Sequence, residues 1–276
     1  MKLKFFKITG LLAIAGLIVI GCDNIVDHNS SNTMILEEKP SDFLHSVNGS
    51  VLLDPFTQDE LDNNWVEDRR FPTGGVLSVS FGGRENVAKI GVIGAEQDQE
   101  PFRQFEGIKK VDDFGFHVQV DLFVPSEWQD ADVVNVGFWS SDDPISSYPL
   151  IVYRNSAAIN AGFYTWDGIA GYIESGIQVN YDDWNTLAIS LDTDNQFANY
   201  SINSEDAGGI TATGNNIGQV FLNHYNDGAR DYFAYWHVGI LDPETRSDCM
   251  QGGWEAFGFR NQGQCIRFVN TGQDSR

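Results

Sequence analysis

Basic residues are scarce in this 276-residue chain, where 17 Lys and Arg stand against 39 Asp and Glu, a formal charge of −22. Such a surface repels polyanions. Nucleic acid and anionic lipid headgroups are therefore poor partners without a local basic patch, whereas neutral or cationic ligands and divalent cations fit. The chain has no long amphipathic helix and no motif of serine or cysteine nucleophile chemistry. Gly82-Gly83 and Gly208-Gly209 read as turn glycines in a β context rather than as a phosphate-binding loop. No EF-hand spacing occurs. Cysteine is limited to Cys22, Cys249 and Cys265, and the last two lack the nearby histidines that a four-ligand zinc site needs.

Aromatic residues are abundant, with 19 Phe, 9 Tyr and 7 Trp, and they sit in a strand pattern. From Ser50 onward, short runs of Val, Ile, Phe and Tyr alternate with Gly, Asn and Asp clusters, which is the all-β signature. The spacing predicts strands at Gly75–Phe81, Val87–Ile93, Phe114–Val124, Val133–Trp139, Pro149–Tyr153, Ala161–Trp166 and Gly171–Ile177. It predicts four more at Trp184–Leu191, Phe197–Ile202, Gln219–His224 and Tyr232–Ile240. From Phe114 to Phe123 the even positions are apolar and the odd ones mostly polar or small, so one face is buried and His117 points away from the core. The length after residue 21 suits a single sandwich domain.

At the N-terminus Lys2, Lys4 and Lys7 precede an apolar run, Ile8 to Ile20, that is too short to span a bilayer comfortably. Val19-Ile20-Gly21-Cys22 resembles the lipobox of bacterial lipoproteins. The resemblance implies a signal peptide over 1–21 and acylation of Cys22, which becomes the new N-terminus. The lipid bilayer is then a partner and the bacterial cell envelope, outside the cytoplasm, the location. Two or three acyl chains, at roughly 0.8 kcal/mol per buried CH2, make the anchor effectively permanent. Asp23 resembles the inner-membrane retention signal of enteric bacteria, a rule that does not cover all bacterial groups, so membrane and leaflet stay open. Cleavage removes three lysines and no acid, taking the 17 basic residues to 14 and the charge from −22 to −25. Residues 22–47, with Asn29-Ser30-Ser31-Asn32, read as a flexible tether. With Cys22 assigned to lipid, Cys249 and Cys265 remain as a disulfide pair in an exported protein, and closing a loop of about 17 residues stabilises by roughly 3 kcal/mol. The segment Cys249 to Val269, within a tail of 244–276, looks like a short C-terminal module found on unrelated exported bacterial proteins. Its Trp254, Phe257 and Phe259 are expected to cover an edge of the sandwich.

Three segments, Val51–Phe56, Trp184–Leu191 and Tyr232–Ile240, give residues 50 to 242 a resemblance to the concanavalin A-like jelly roll of legume lectins, laminin G modules, many glucanases and some polysaccharide lyases. The resemblance implies an all-β, two-sheet antiparallel jelly-roll sandwich over 48–243. Such folds often hold one structural calcium near the first and last strands, which implies Asp54 and Asp231 as ligands, with Asp142-Asp143 and Asp192, Asp194 as alternatives. Glucanases of the fold carry two glutamates and an aspartate at alternating positions of one strand. Here Phe114–Phe123 offers only Asp121 and Gly171–Ile177 only Glu174. Ala161-Gly162-Phe163-Tyr164 is faintly similar to one strand of the alginate-type lyases, whose Gln-X-His motif and Arg-rich strand are absent. His117 and His224 are the candidates for a base.

Sugar rings stack their apolar faces on Trp and Tyr, while Asn, Asp and Arg answer the hydroxyls. Trp139, Tyr153, Arg154, Trp166, Asp167, Tyr172, His224, Tyr225 and Asn226 sit on central strands or their ends and are the candidate ligand residues, although alternation cannot place them all on one face. Asp68-Arg69-Arg70-Phe71-Pro72 is the strongest local basic pair. It reads as an ion pair fixing the loop before the strand at 75, with a ligand contact as the alternative. These readings converge on a lipid-anchored, non-catalytic glycan-binding or adhesion domain with a neutral glycan as partner and no nucleic acid. Two alternatives stand beside it, a lyase or glycoside hydrolase with a dispersed site and a structural envelope lipoprotein.

Overall fold

Strands with one apolar face must bury it against a second layer, and here two sheets do so. A computed structural model describes residues 46–47, 50–51, 53–130, 134–169, 171–238, 246, 249–250, 254 and 261–271. Cys22 and the signal segment lie outside them. In chain order the elements are β1 (Ser46–Val47), β2 (Ser50–Val51), α1 (Gln58–Asn63), β3 (Val66–Asp68), β4 (Val76–Phe81), β5 (Arg84–Val92), β6 (Phe105–Val111) and β7 (His117–Val124). They continue with β8 (Val134–Asp143), β9 (Leu150–Ser156), β10 (Ile159–Trp166), β11 (Tyr172–Glu174), β12 (Asp183–Asp192), β13 (Phe197–Ile202), β14 (Glu205–Thr211), β15 (Asn216–Tyr225), β16 (Tyr232–Val238) and α2 (Gln262–Thr271). Neither described helix is long and apolar enough to cross a membrane.

The first sheet runs β11-β10-β9-β8-β15-β6-β3 and the second β14-β13-β12-β7-β16-β5-β4, with antiparallel pairing throughout both. This is the expected two-sheet jelly-roll sandwich. Phe138, Tyr153 and Phe163 of the first sheet share one core with Val120, Leu122 and Trp236 of the second. The one lysine buried among the described residues, Lys110 on β6, is compensated. Its Nζ lies 2.8 Å from both Asp54 Oδ2 and Glu60 Oε1, and the Glu60 end of α1 is fixed by Thr57, whose Oγ1 accepts the Glu60 N–H at 3.1 Å.

Two of the strands absent from the sequence reading share a character. β6 reads Phe-Glu-Gly-Ile-Lys-Lys-Val and β14 reads Glu-Asp-Ala-Gly-Gly-Ile-Thr, so charge and glycine hide them, and their pairing partners hold them in place. β1 and β2 pair across 46–51, beginning inside the expected tether. Phe116, expected inward, is 45% exposed because Gly115 at φ 64° turns the chain and the β7 ladder starts only at His117. His117 does point outward, its Nδ1 2.7 Å from Ser190 Oγ on the next strand. In the tail, Cys249 and Cys265 form a disulfide with Cα atoms 5.6 Å apart, and Trp254, Ile266, Phe268 and Val269 pack on it. Trp254 thus serves the disulfide cluster, while Phe257 and Phe259 fall outside the described residues.

Candidate functional site

The register of the first sheet aligns outward side chains in rows. Trp139 on β8 lies opposite Phe221 on β15 and Leu150 on β9, and Trp166 on β10 lies opposite Tyr172 on β11. The next row holds Gly137, Val152 and Tyr164. Leu150, Val152 and Tyr164 form an apolar cluster separate from the main core, with Trp139, Trp166 and Tyr172 packed on it. A Cβ placed on Gly137 would lie 2.5 Å from Trp139 Nε1, so the missing side chain is what lets the indole lie down on the sheet.

These side chains enclose a hollow of about 230 Å³, lined by Arg69, Trp139, Tyr148, Leu150, Trp166 and Tyr172. The second sheet supports it from below. Tyr200 on β13 passes its hydroxyl through the core to donate to the Trp166 carbonyl at 2.9 Å and to accept the Leu150 N–H at 3.3 Å. Burial raises the pKa of that phenol, which keeps it a neutral donor.

Arg69 closes one end. It adopts φ 60°, an uncommon conformation for a side chain of this size, and its Cζ stands 4.5 Å from the Trp139 ring, 4.7 Å from Phe105 and 4.9 Å from Phe102. Its neighbouring carboxylate, Asp68, comes no nearer than 3.9 Å and accepts instead from Asn223 Nδ2 at 3.0 Å. At the other side Arg154 places its Cζ 4.1 Å over the Tyr172 ring and 5.8 Å from Tyr164. Burial raises the Tyr172 phenol pKa, and the charges of Arg154 and Arg69 pull it the other way.

The candidates from sequence divide by strand parity. Trp139, Trp166 and Tyr172 meet in the hollow, and Arg154 stands over Tyr172. Asp167 accepts the backbone N–H groups of Ile169 and Gly171 in the turn that follows Trp166. Tyr153 is one residue off in register from Val152, so it turns inward, packed between Trp128 and Phe163. His224 likewise faces the core, its Nε2 accepting from Trp236 Nε1 at 3.2 Å. Neither reaches a ligand on the outer face. Tyr225 flanks the hollow against Phe105, centroids 5.0 Å apart, and donates to Gln104 Oε1 at 2.6 Å. Asn226 is buried and structural, donating through Nδ2 to Glu106 Oε1 at 2.8 Å and to the Ile93 carbonyl at 3.0 Å.

The basic pair splits. Arg70 is the structural member, 3.3 Å from buried Glu106 Oε1, while Arg69 faces the hollow. The residues expected to hold calcium each have a protein partner. Asp54 is already neutralised by Lys110, Asp231 accepts the Gly94 N–H at 2.8 Å, and the described residues contain no group of three or more acids, histidines or cysteines placed to hold a metal. Of the alternatives, Asp142 accepts the N–H groups of Ser146, Ser147 and Gly214, each at 2.8 Å, and Asp192 holds Asn195. Asp121, the lone acid of its strand, is engaged on the opposite sheet by Arg84 and by Thr186 Oγ1, the latter at 2.7 Å.

No protein-family model and no curated protein matches the chain. Solved structures do. A Bacillus licheniformis β-glucanase aligns over 70% of this chain and 100% of its own at 13% identity and TM-score 0.40. The alginate lyase vAL-1 from Chlorella virus aligns over 68% and 97% at 11% identity and TM-score 0.42. The carbohydrate binding module CBM66 from Bacillus subtilis aligns over 63% and 92% at 11% identity and TM-score 0.36. At such scores no residue of their sites transfers to this chain.

Proposed function

We propose that this chain is a lipid-anchored protein of the bacterial cell envelope whose sandwich binds a saccharide in the Trp139–Trp166–Tyr172 hollow without transforming it. One observation carries the reading. Three aromatic side chains, on strands that are not all neighbours, converge on the solvent face of the sheet around a hollow whose lining contains no carboxylate. An apolar floor with aromatic walls suits the C–H face of a pyranose, and the Tyr148 and Tyr172 hydroxyls at the walls can exchange hydrogen bonds with its hydroxyls. At about 230 Å³ the hollow is smaller than the ~300–1,000 Å³ of drug-sized ligand sites, which suits one ring of a longer chain. A lining without carboxylates also lacks the acid and nucleophile that retaining glycoside hydrolysis needs. The lipid anchor rests on the lipobox and the charge pattern before Cys22.

The test is retention of the detergent-solubilised protein on a panel of immobilised polysaccharides. Wild type should be retarded by one glycan class. Trp139→Ala or Trp166→Ala should weaken that binding by about 30-fold, the ~2 kcal/mol of an aromatic hot spot. Retention unchanged in both variants would place the ligand elsewhere, and new reducing ends or unsaturated products would replace the binding reading with catalysis.

A further inference from the structure

Arg69 is the one charged residue lining the hollow, and Arg154 stacks on its Tyr172 wall. With only 17 basic residues against 39 acidic ones, two arginines nonetheless approach the same phenol: Arg154 stacks on Tyr172, and both Arg154 and Arg69 act electrostatically on its hydroxyl. Among the described residues, no oxygen accepts a hydrogen bond from either guanidinium. The carboxylate nearest the Arg69 guanidinium, Asp68, stays 3.9 Å from its Nε, and the Arg154 guanidinium lies against the rings of Tyr164 and Tyr172. Ring stacking holds each fork in place while leaving its N–H donors unused. Arg69 is further fixed by three rings and a positive φ. A planar fork positioned in this way is pre-organised for a two-oxygen anion, which it binds by parallel charge-assisted hydrogen bonds.

Resting on the saccharide reading above, we infer that the ligand ring is a uronic acid, stacked in the aromatic hollow with its carboxylate answered by the guanidiniums of Arg69 and Arg154. This departs from the neutral glycan expected from net charge. The reason is range: charges beyond a Debye length of about 8 Å at physiological salt are largely screened, so the contact pair governs what docks and the remaining acids do not. Glu174 on β11 lies opposite Tyr164, in the row next to that of Trp139.

The experiment titrates the full-length protein in detergent with polygalacturonate, alginate and glucuronan. Each is paired with its carboxyl-reduced counterpart of identical linkage, and a sulfated neutral glycan is run in parallel. The expected result is that at least one uronan binds about ten- to a hundredfold more tightly than its reduced form, as charge-assisted hydrogen bonds imply. Arg154→Gln and Arg69→Gln should erase that difference, and Arg69→Lys, which keeps charge but not the fork, should restore only part of it. Because Arg69 also packs on three rings, Arg154→Gln on the open face is the decisive variant, with tryptophan fluorescence confirming its fold. Equal binding of uronan and reduced polymer, preference for the neutral form or preference for the sulfated glycan overturns the uronate inference and leaves the saccharide reading standing. No binding to any glycan overturns both.

Discussion

Replacing His224 by phenylalanine should flatten the dependence of stability on pH between 6.5 and 4.5. The imidazole is 1% exposed, and burial brings its pKa from 6.5 down to about 3. Its Nε2 accepts the Trp236 indole N–H, so a proton there would set two donors face to face in the core. The folded-state pKa is depressed, so the neutral ring contributes its full stability above pH 6.5, and that contribution is lost as pH falls toward 3. At 1.36 kcal/mol per unit the whole shift is worth about 4–5 kcal/mol, of which about 2–3 kcal/mol falls between pH 6.5 and 4.5. Every carboxylate is present in both proteins and cancels in the difference. Asp113 and Asp192, held below the usual range by hydrogen bonds from Asn216 and Asn195, protonate further down. His237, its pKa lowered by burial and by Arg84, shares the window but is present in both proteins and cancels in the difference. Phenylalanine gives up the Trp236 hydrogen bond, so the variant should start about 1 kcal/mol less stable at pH 7, overtake wild type at about pH 5.7 and be roughly 1–2 kcal/mol the more stable at pH 4.5. Urea denaturation followed by tryptophan fluorescence at several pH values measures both curves. Parallel curves would show that water reaches His224 in the folded state and would refute the placement.

Two further outcomes are expected. Gly137→Ala puts a methyl 2.5 Å from Trp139 Nε1, so the indole must swing off the sheet. Glycan retention should fall as far as in Trp139→Ala, with thermal stability little changed, and full retention would mean that the indole does not form the binding face. Cys22→Ser should abolish incorporation of labelled palmitate and move the protein from the membrane pellet to the soluble fraction, while a variant still pelleting with membranes would refute the lipid anchor.

The sandwich was legible because alternation is a local property. β7, β12, β13 and β16 each carry enough inward Val, Ile, Leu or aromatic side chains to announce a buried face. β6 was not legible, because its Glu106 and Lys110 point inward and are satisfied by Arg70, Asp54 and Glu60, partners 36 to 56 residues away in sequence. The site was half legible. Trp139, Trp166 and Tyr172 stood out as aromatics on central strands, but parity is relative until a register is known. The one-residue step from Val152 to Tyr153 and from Asn223 to His224 therefore put two candidates into the core.

By itself the sequence determined the β class, the charge, and the aromatics from which a binding face can be made. Those are properties of composition and short periodicity, and neither depends on what lies across the sheet. Only the tertiary structure decided that Arg69 leaves its neighbour Arg70 to the ion pair with Glu106 and turns toward Trp139. It alone brought Arg154 of β9 to the Tyr172 ring of β11. Such choices follow from inter-strand register and from a positive φ at one residue, which no local pattern of side chains specifies.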